Sequence, residues 1–504
     1  MEDRMSSKTK AQKKPGKTGY PPTDYEKIFH PKAIAVIGVS SDENGVGFGT
    51  GMLRAIMMMG YPGKLYPVNP KGGIISGLEI YRRVEDIPGP VDFAVVAVNA
   101  RHVPESLEAC LKIGVAGAEI LSAGFSELGT EAGKELERRI QEIAARGIRV
   151  VGPNCFGIYC PASGLTLLPG PDLSRETGPV AFVAQSGGMA IDFAHAGKWM
   201  GVRFSKMISF GNGADLREAE LLRYLADDPE TGVISMYIEG IKDGERFFSE
   251  LKSAASKKPV IVYKGGLSAA GARSVASHTA SMGGSRVIWQ SILRQAGAIQ
   301  VNDTEEMAQA NLAFAMLPPK PFRGISIVGG GGAIGVTACD TAEIYGIEIP
   351  ALGPDLQERI GSVLPKPGSS AINPIDVANP FVAPQALKEV LLNAARDERI
   401  ELQIIVSLLF HYKSLALALG RSVTEVTPYR ELAQCVRDAV DRTGKPVIAV
   451  LPNMTRGTES MDITELIALT RQEYLSHGIP VFDELHDAIR AISHINNYYG
   501  GKIK

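Results

Sequence analysis

Residues 182–194 read FVAQSGGMAIDFA, and residues 326–340 read SIVGGGGAIGVTACD. In each stretch a short apolar run ends in small residues and leads into a second apolar pattern, as expected of a buried parallel strand, a tight turn and a helix. Matching motifs follow both stretches in the same order, since KKPVIVYKGG parallels TGKPVIAVLPN further along the chain. We therefore predict two tandem flavodoxin-like units, the alternative being a chance likeness between two generic α/β domains.

An earlier block of the chain shows the same alternation of Val- and Ile-rich runs with helical patterns. A length of 504 residues accommodates about three domains. We predict an α/β fold class throughout, with parallel sheets covered by helices, and a Pro- and Gly-rich linker at 167–179. The predicted ranges are a disordered basic tail at 1–23, a Rossmann-like domain at 24–165, and flavodoxin-like domains at 176–315 and 322–500.

Composition argues against several classes of function. The formal net charge of −2 disfavours a general nucleic-acid-binding protein. No apolar run approaches the roughly 18 residues that a membrane span needs, and the basic tail lacks the apolar segment of a secretory signal. The five cysteines are odd in number and have no zinc-ligand spacing, so we expect no metal site and a reducing cytoplasm.

A glycine-studded loop, GVSSDENGVGFGTGML at 38–53, follows the first predicted strand and opens a helix. Such a loop lets backbone N–H groups approach a phosphate at the positive end of the helix. The spacing departs from G-x-G-x-x-G, and Lys71 stands where a dinucleotide-binding fold has an acidic residue. This combination favours a phosphorylated adenine nucleotide such as coenzyme A over NAD, with a purely structural glycine turn as the alternative.

A second motif, GPNC at 152–155, follows another predicted strand at the edge where ligands of parallel sheets bind. We expect Asn154 either to hydrogen-bond a ligand amide or to cap the following turn. Cys155 and Cys160 are expected to fill apolar space rather than to form a metal or redox pair.

The segment SVASHTASMGGS at 274–285 presents His278 among small polar residues, after a strand and a glycine turn. An imidazole so placed can accept a phosphoryl group on one nitrogen while a carboxylate orients the ring through the other. Glu239, at the end of the predicted strand ISMYIEG, is the candidate carboxylate, and a solvated glutamate at a strand edge is the alternative. The helix starts in QSGGMA (185–190) and GGGGAIG (329–335) can offer N–H groups to a phosphoryl group, although each also fits a simple tight turn.

The chain also carries, in order, YPVNPKGG, SAGFSELG, GPNCFGI, AQSGG, GNGADL, MYIEG and SHTAS. Together with the glycine loop, these motifs resemble those of the ADP-forming acetyl-CoA synthetases and their relative succinyl-CoA synthetase, over residues 25 to 500. The resemblance implies a CoA-binding domain followed by two ligase domains, with the activity of an NDP-forming acyl-CoA synthetase. The sequence departs from the family pattern at Ala280, at 282–284, and at Asn99, where the family often has proline.

The resemblance further implies which residues form the site. It makes His278 the phosphorylated residue and Glu239 the residue that orients it. The phosphate-binding positions it implies are Ser186, Gly187, Gly188, Gly330, Gly331, Gly332 and Ala333. The CoA-contacting positions it implies are Gly38, Ser40, Asn69, Lys71 and Asn154.

Substrates and partners follow from the same resemblance. They are coenzyme A, phosphate and a small carboxylic acid or its acyl-CoA, with ADP or ATP and Mg²⁺ bound by an ATP-grasp domain. The predicted blocks leave no room for that domain, so we expect it on a separate β subunit, in a heterotetramer. The rival hypothesis is a non-catalytic CoA-binding or CoA-sensing protein of the same fold, which would bind CoA without becoming phosphorylated.

Overall fold

The computed structural model describes residues 23–42, 44–168, 172–273 and 285–501. Within this range the chain forms three mainly parallel sheets with helices packed against them, which confirms the predicted α/β class. The predicted tail up to residue 22 and His278 lie outside the described residues. None of the described helices combines the length and the apolar character needed to cross a bilayer.

The first sheet belongs to the N-terminal part of the chain. Its strands, with a small separate hairpin formed by the third and fourth, are β1 (Ala33–Ile37), β2 (Lys64–Val68), β3 (Gly73–Ile75), β4 (Leu78–Ile80), β5 (Phe93–Val96), β6 (Gly117–Ile120) and β7 (Arg149–Val151). The helices are α1 (Tyr25–Phe29), α2 (Phe48–Met58), α3 (Val103–Lys112) and α4 (Glu131–Ala144), with 3₁₀ turns at Val84–Asp86, Ala100–His102 and Ser126–Leu128. The parallel order is β2-β1-β5-β6-β7, and every residue of β1 and β5 is buried, as expected for strands covered on both faces.

The second sheet contains six strands. They are β8 (Gly157–Tyr159), β9 (Thr177–Ala184), β10 (Phe204–Ser209), β11 (Val233–Ile238), β12 (Val260–Lys264) and β13 (Ile299–Val301). The helices are α5 (Gly187–Met200), α6 (Glu218–Asp227), α7 (Gly244–Lys257), α8 (Arg286–Ala296) and α9 (Thr304–Met316). The order is β13-β12-β11-β9-β10-β8, and β8 pairs antiparallel with β10, although it lies within the range predicted for the first domain.

The third sheet contains five parallel strands. They are β14 (Ile325–Gly329), β15 (Ile375–Asp376), β16 (Leu402–Val406), β17 (Val447–Val450) and β18 (Val481–Phe482). The helices are α10 (Gly332–Ile344), α11 (Pro354–Gly361), α12 (Pro384–Ala394), α13 (Tyr412–Leu419), α14 (Val423–Val426), α15 (Tyr429–Thr443), α16 (Met461–Ser476) and α17 (Leu485–Gly500), with 3₁₀ turns at Leu409–His411 and Thr458–Ser460.

The second and third sheets have the same topology. Numbered within each unit, both run in the order 5-4-3-1-2, since the third sheet reads β18-β17-β16-β14-β15 and the second reads β13-β12-β11-β9-β10 before its extra edge strand. This is the doubly wound order of flavodoxin-like folds. The repeated motifs therefore correspond to equivalent strands, in agreement with the predicted pair of flavodoxin-like units.

Specific contacts join the units. The Arg149 guanidinium binds the Asp215 carboxylate through two hydrogen bonds of 2.8 and 2.9 Å, and both side chains are buried. The second and third sheets share one apolar core, in which Phe314 of α9 meets Tyr498 of α17 edge to face. The buried ion pair and the shared core fix the strand ends of neighbouring units relative to one another.

The predicted linker at 167–179 is only partly correct. Leu167 and Leu173 are buried in the core of the second unit, and β9 already begins at Thr177. The proline and glycine content indicated a loop, but the leucines in that loop supply apolar surface that the core takes up.

Candidate functional site

Glu239 directly follows β11, and hydrogen bonds from a neighbouring strand end hold its backbone. The side-chain Oε1 of Gln185, which follows β9, accepts the N–H of Glu239 at 2.5 Å and that of Gly240 at 2.9 Å. The Gln185 amide also donates to the Gly240 carbonyl at 3.0 Å. The two strands are parallel neighbours, so the register of the sheet brings these residues together.

Lys264 holds the same turn from the other side. It ends β12, the other neighbour of β11, and its buried ammonium donates to the Glu239 carbonyl at 2.7 Å and to the Gly265 carbonyl. The ammonium also lies 5.0 Å from the centroid of the Trp289 ring. Burial lowers the pKa of Lys264 to about 8, although the nearby Glu239 charge acts in the opposite direction.

The carboxylate of Glu239 is half-buried. Tyr237 donates to its Oε1 at 3.2 Å, and in the part of the chain that the structure describes this is the one hydrogen bond to the carboxylate. Among the described residues, no donor contacts the second carboxylate oxygen.

The first predicted phosphate-binding helix start lies beside this turn. Ser186, the residue after Gln185, is the N-cap of α5, and its hydroxyl accepts the Met189 N–H at 3.3 Å. The first N–H groups of a helix have no partner within it, so those of Gly187 and Gly188 are free of intrahelical bonds. A Cβ at Gly187 would lie 2.7 Å from the Phe156 ring, which explains why glycine is needed there.

The second predicted helix start, at 330–333, already has an anionic neighbour. Gly331 is the N-cap of α10, and its N–H donates to Oδ1 of Asp376 at 3.2 Å. Ala378 donates to the same oxygen at 2.8 Å. A cavity of about 250 Å³ opens beside Gly331, Gly332 and Asp376. The carboxylate therefore shares the positive helix end with any anion that binds there.

Asn154 lies where the first and second units meet. It adopts a left-handed backbone (φ 55°) and donates through its amide to Oδ1 of Asn212 at 3.4 Å. Asn212 in turn donates to Glu127 at 2.6 Å and to Glu137 at 3.0 Å. Burial opposes ionisation of Glu127, but hydrogen bonds from Gly124 and Asn212 outweigh it and lower its pKa.

This carboxylate network reaches the loop of Glu239. The Lys242 ammonium lies 3.8 Å from Oε1 of Glu137, and Lys242 is three residues beyond Glu239. Contacts therefore run from Asn154, through Asn212 and Glu137, to Lys242 in the loop that follows Glu239.

The glycine loop at 38–49 gives α2 a start without a side-chain cap. Gly38 has φ +99°, and a Cβ on it would lie 2.6 Å from the Ala97 carbonyl oxygen. A Cβ on Gly49 would lie 2.5 Å from the Gly38 carbonyl oxygen. The Ser40 N–H donates to Thr50 at 2.8 Å. The loop is therefore closely packed at Gly38 and at Gly49, and the start of α2, which has no side-chain cap, can offer backbone N–H groups to a phosphate.

Asn69 and Lys71 border that loop. The Asn69 amide donates to the Val39 carbonyl at 2.6 Å, and its oxygen accepts the Lys71 N–H at 2.9 Å. Asn69 therefore holds the turn against the loop, while the Lys71 side chain is exposed. Gly38, Ser40, Asn69 and Lys71 form one group, and Asn154 belongs to the separate group near Glu239.

Two family models match the chain. Residues 32–161 match a CoA binding domain, and residues 177–314 match a succinyl-CoA ligase like flavodoxin domain. The alpha subunit of acetate–CoA ligase [ADP-forming] I from Pyrococcus furiosus is 34% identical over 487 residues, covering 95% of this chain and 98% of that one.

The chain belongs to the ADP-forming acyl-CoA synthetase family.

Other members extend the comparison. The 4-hydroxybutyrate–CoA ligase [ADP-forming] of Nitrosopumilus maritimus is 30% identical, over 92% of this chain and 63% of that protein. The solved dinucleotide-forming acetyl-coenzyme A synthetase 1 of Ca. Korarchaeum cryptofilum, in complex with phosphate and ADP, has a TM-score of 0.79 at 30% identity and covers 95% of this chain and 98% of that one. The predicted fold, with a CoA-binding domain ahead of ligase domains, agrees with this family.

Several residues of the candidate site could not be predicted from the sequence. The sequence indicates no role for Gln185, although it lies in the motif QSGGMA, and none for Tyr237, Lys264 or Asp376. Gln185, Lys264 and Asp376 contact residues at the end of a neighbouring strand, so their signal lies in the strand order and not in a local motif. Tyr237 instead precedes Glu239 by two positions and lies on the same face of the chain. Asn212, in the GNGADL motif, was likewise missed as the partner of Asn154.

Proposed function

We propose that this chain is the α-type subunit of an NDP-forming acyl-CoA synthetase and carries the phosphoryl relay of that enzyme. It interconverts acyl-CoA, phosphate and ADP with a carboxylic acid, CoA and ATP. The observation that carries the proposal is the set of contacts from Asn154, through Asn212 and Glu137, to Lys242, which lies three residues beyond Glu239. Side-chain contacts therefore link a candidate CoA contact to the loop that follows the candidate relay carboxylate, which supports the proposal.

The proposed reaction has three steps. Phosphate attacks the thioester carbonyl of acyl-CoA, the C–S bond breaks, and the CoA thiol leaves with a proton, which gives an acyl phosphate. One imidazole nitrogen of His278 attacks the phosphorus, the bond to the acyl oxygen breaks, and the carboxylate leaves. The phosphohistidine then transfers its phosphoryl group to ADP, which forms ATP and restores the imidazole.

The residues of this chain divide the work. Glu239 accepts a hydrogen bond from the second nitrogen of His278 and so fixes its tautomer. The N–H groups at Ser186–Gly188 and at 330–333 bind the phosphoryl oxygens at two helix starts. Gly38, Ser40, Asn69 and Lys71 support binding of the phosphates of CoA, and Asn154 contacts its amide-containing arm.

In this proposal, a partner subunit binds the nucleotide. Relatives named as alpha subunits in Pyrococcus furiosus are matched over 98% and 95% of their lengths. The single-chain relative of Archaeoglobus fulgidus is matched over 94% of this chain but 63% of its own length. We propose that an ATP-grasp β subunit, with Mg²⁺, supplies ADP and ATP binding in a heterotetramer, and that the domain ranges 24–165, 176–315 and 322–500 hold for this chain.

Labelling of the full chain with radioactive phosphate tests the proposal. Purified protein is incubated with labelled phosphate and a panel of acyl-CoA thioesters, beginning with acetyl-CoA, and compared with His278→Ala and with the distant control His477→Ala. We expect acid-labile, base-stable label on the wild type and on the control, and none on His278→Ala. CoA affinity, measured by calorimetry, should be equal in all three.

The alternative of a non-catalytic CoA-binding protein predicts a different pattern. CoA would bind with a measurable heat, and no thioester in the panel would give label on the wild type. That result would overturn the proposed phosphoryl relay.

A further inference from the structure

All four backbone polar groups of Glu239 and Gly240 bond to side chains in the structure. Gln185 satisfies both N–H groups and the Gly240 carbonyl, and Lys264 satisfies the Glu239 carbonyl. Buried backbone groups need partners, but these are ordinarily other backbone groups or water. Among the residues that the structure describes, Gln185 (9% exposed) and Lys264 (3% exposed) supply every partner of these four groups.

From this arrangement we infer that Gln185 and Lys264 are positioning residues that fix the direction of the Glu239 carboxylate for phosphoryl transfer. The inference rests on the proposed function, because it assigns these two residues a part in the same relay.

The strand order explains why two residues are needed. β11 lies between β9 and β12, and Gln185 and Lys264 come from the ends of these two neighbours. The Glu239 peptide is therefore held from both sides, so it cannot turn without breaking hydrogen bonds to one neighbour or the other. A side chain is aimed by its backbone, and a shift of about 1 Å at a reacting group can cost on the order of a hundredfold in rate.

Gln185 also links the carboxylate to the phosphate-binding helix. It is followed directly by Ser186, the N-cap of α5. One residue thus sets the spacing between Glu239 and the N–H groups of Gly187 and Gly188. An apolar side chain in place of Gln185 would leave the Glu239 turn and α5 in place but would remove the hydrogen bonds that fix the distance between them.

Lys264 lies at the end of β12, where the chain segment that leads to His278 begins. Its ammonium bonds the carbonyl of Glu239 and that of Gly265, the first residue after β12. This joins the turn after β11 to the start of the chain that leads towards residue 274. The ring of Trp289, whose centroid lies 5.0 Å from the ammonium, helps to stabilise this buried charge.

The test measures single-turnover phosphorylation by rapid quench. The variants are Gln185→Met and Lys264→Met, each made in the wild type and in Glu239→Gln. The control is Gln300→Met, the same substitution on the edge strand β13 of this sheet. CoA affinity and the melting temperature are recorded for every protein.

We expect Gln185→Met and Lys264→Met to slow phosphorylation about 20-fold or more, with unchanged KM for the thioester and unchanged CoA affinity. In the Glu239→Gln background the same substitutions should change the rate less than about twofold, because the group through which they act is gone. Gln300→Met should match the wild type in both backgrounds.

The other outcomes are equally decisive. Equal losses in both backgrounds, or wild-type rates in both methionine variants, would overturn the positioning role while leaving the proposed function intact. A wild type that takes up no label with any thioester would instead be a failure of the proposed function. Should one variant not fold, as judged by its melting temperature, the other carries the comparison alone.

Discussion

The hydroxyl of Tyr237 donates a hydrogen bond to Oε1 of Glu239 at 3.2 Å from two positions earlier in the chain. Side chains two residues apart share a face of a strand, so β11 itself brings the phenol to the carboxylate. Burial and the Glu239 charge raise the pKa of Tyr237 well above its usual value, so the hydroxyl stays protonated and remains a donor.

Replacing Tyr237 with Phe keeps the ring and removes this one bond. A hydrogen bond to a charged group contributes about 1.5–3 kcal/mol, so we expect phosphorylation to slow by about 10- to 150-fold with unchanged CoA affinity. Rapid quench with labelled phosphate measures the rate. Tyr263→Phe is the matched control, since that ring packs edge to face on Tyr237 at 5.2 Å. Equal losses in both variants would show that packing, and not the bond to Glu239, sets the rate.

The main strands could be predicted from sequence because their apolar runs are bounded by turn residues. The run KLYPV predicts a strand over residues 64–68, and in the structure β2 occupies Lys64–Val68. Some of the shortest strands, such as β13 (Ile299–Val301) and β18 (Val481–Phe482), were not predicted, because two or three residues are too few to show a period. These short strands form because contacts with neighbouring strands and helices stabilise them.

The candidate site could be predicted only in part. The strand pattern places Glu239 at a strand end, but its partner Gln185 is 54 positions earlier in the chain. Asp376 is similarly 45 positions from Gly331. Such pairs depend on which strands are neighbours and on their register, and a local motif contains neither.

The buried Glu119 leads us to predict how the stability of the fold depends on pH. Its side chain is buried on β6 and accepts the Ile158 N–H at 2.9 Å, and burial raises its pKa to about 8 from 4.5. The folded state therefore binds this proton more tightly than the unfolded state does. The associated stabilisation is fully present below pH 4.5 and is lost as the pH rises towards 8, by at most about 1.4 kcal/mol for each pH unit.

Glu119→Gln removes the titrating group and keeps an oxygen for Ile158. The free energy of unfolding is measured by urea denaturation at pH 5.5 and at pH 8. We expect the difference between the variant and the wild type to shift in favour of the variant as the pH rises from 5.5 to 8. Glu142→Gln, on the exposed surface of α4, is the control and should show no such gain. A difference that is equal at both pH values would contradict the elevated pKa of Glu119.

Asp376 makes a prediction about phosphate. Its carboxylate occupies the start of α10 through the Gly331 N–H, where a bound phosphoryl group would meet like charge. Asp376→Asn keeps an oxygen for that N–H and removes the charge. A charge at a helix end contributes about 0.3–2 kcal/mol, so we expect KM for phosphate to fall about three- to tenfold. Steady-state kinetics at fixed acyl-CoA checks this, and an unchanged KM would mean that phosphate does not bind at α10.

Two glycines of α2 allow a matched test of whether the glycine loop at 38–49 binds the phosphates of CoA. A Cβ at Gly49 would lie 2.5 Å from the Gly38 carbonyl oxygen, whereas a Cβ at Gly51 would meet Leu168 at an ordinary 3.4 Å. Gly49→Ala therefore forces the start of the helix away from the loop, at a cost of about 1–3 kcal/mol. Gly51→Ala only exchanges glycine for a better helix former, which stabilises a helix by about 0.5–1 kcal/mol.

We expect Gly49→Ala to weaken CoA binding about tenfold or more and Gly51→Ala to leave it unchanged, both measured by calorimetry. The reason is geometric, because only the first substitution moves the N–H groups that the uncapped end of α2 offers to phosphate. Adenosine, which lacks phosphate, should show no difference between the two variants. If Gly49→Ala bound CoA as tightly as the wild type, the loop at 38–49 would be a structural turn and the phosphates of CoA would have to bind elsewhere.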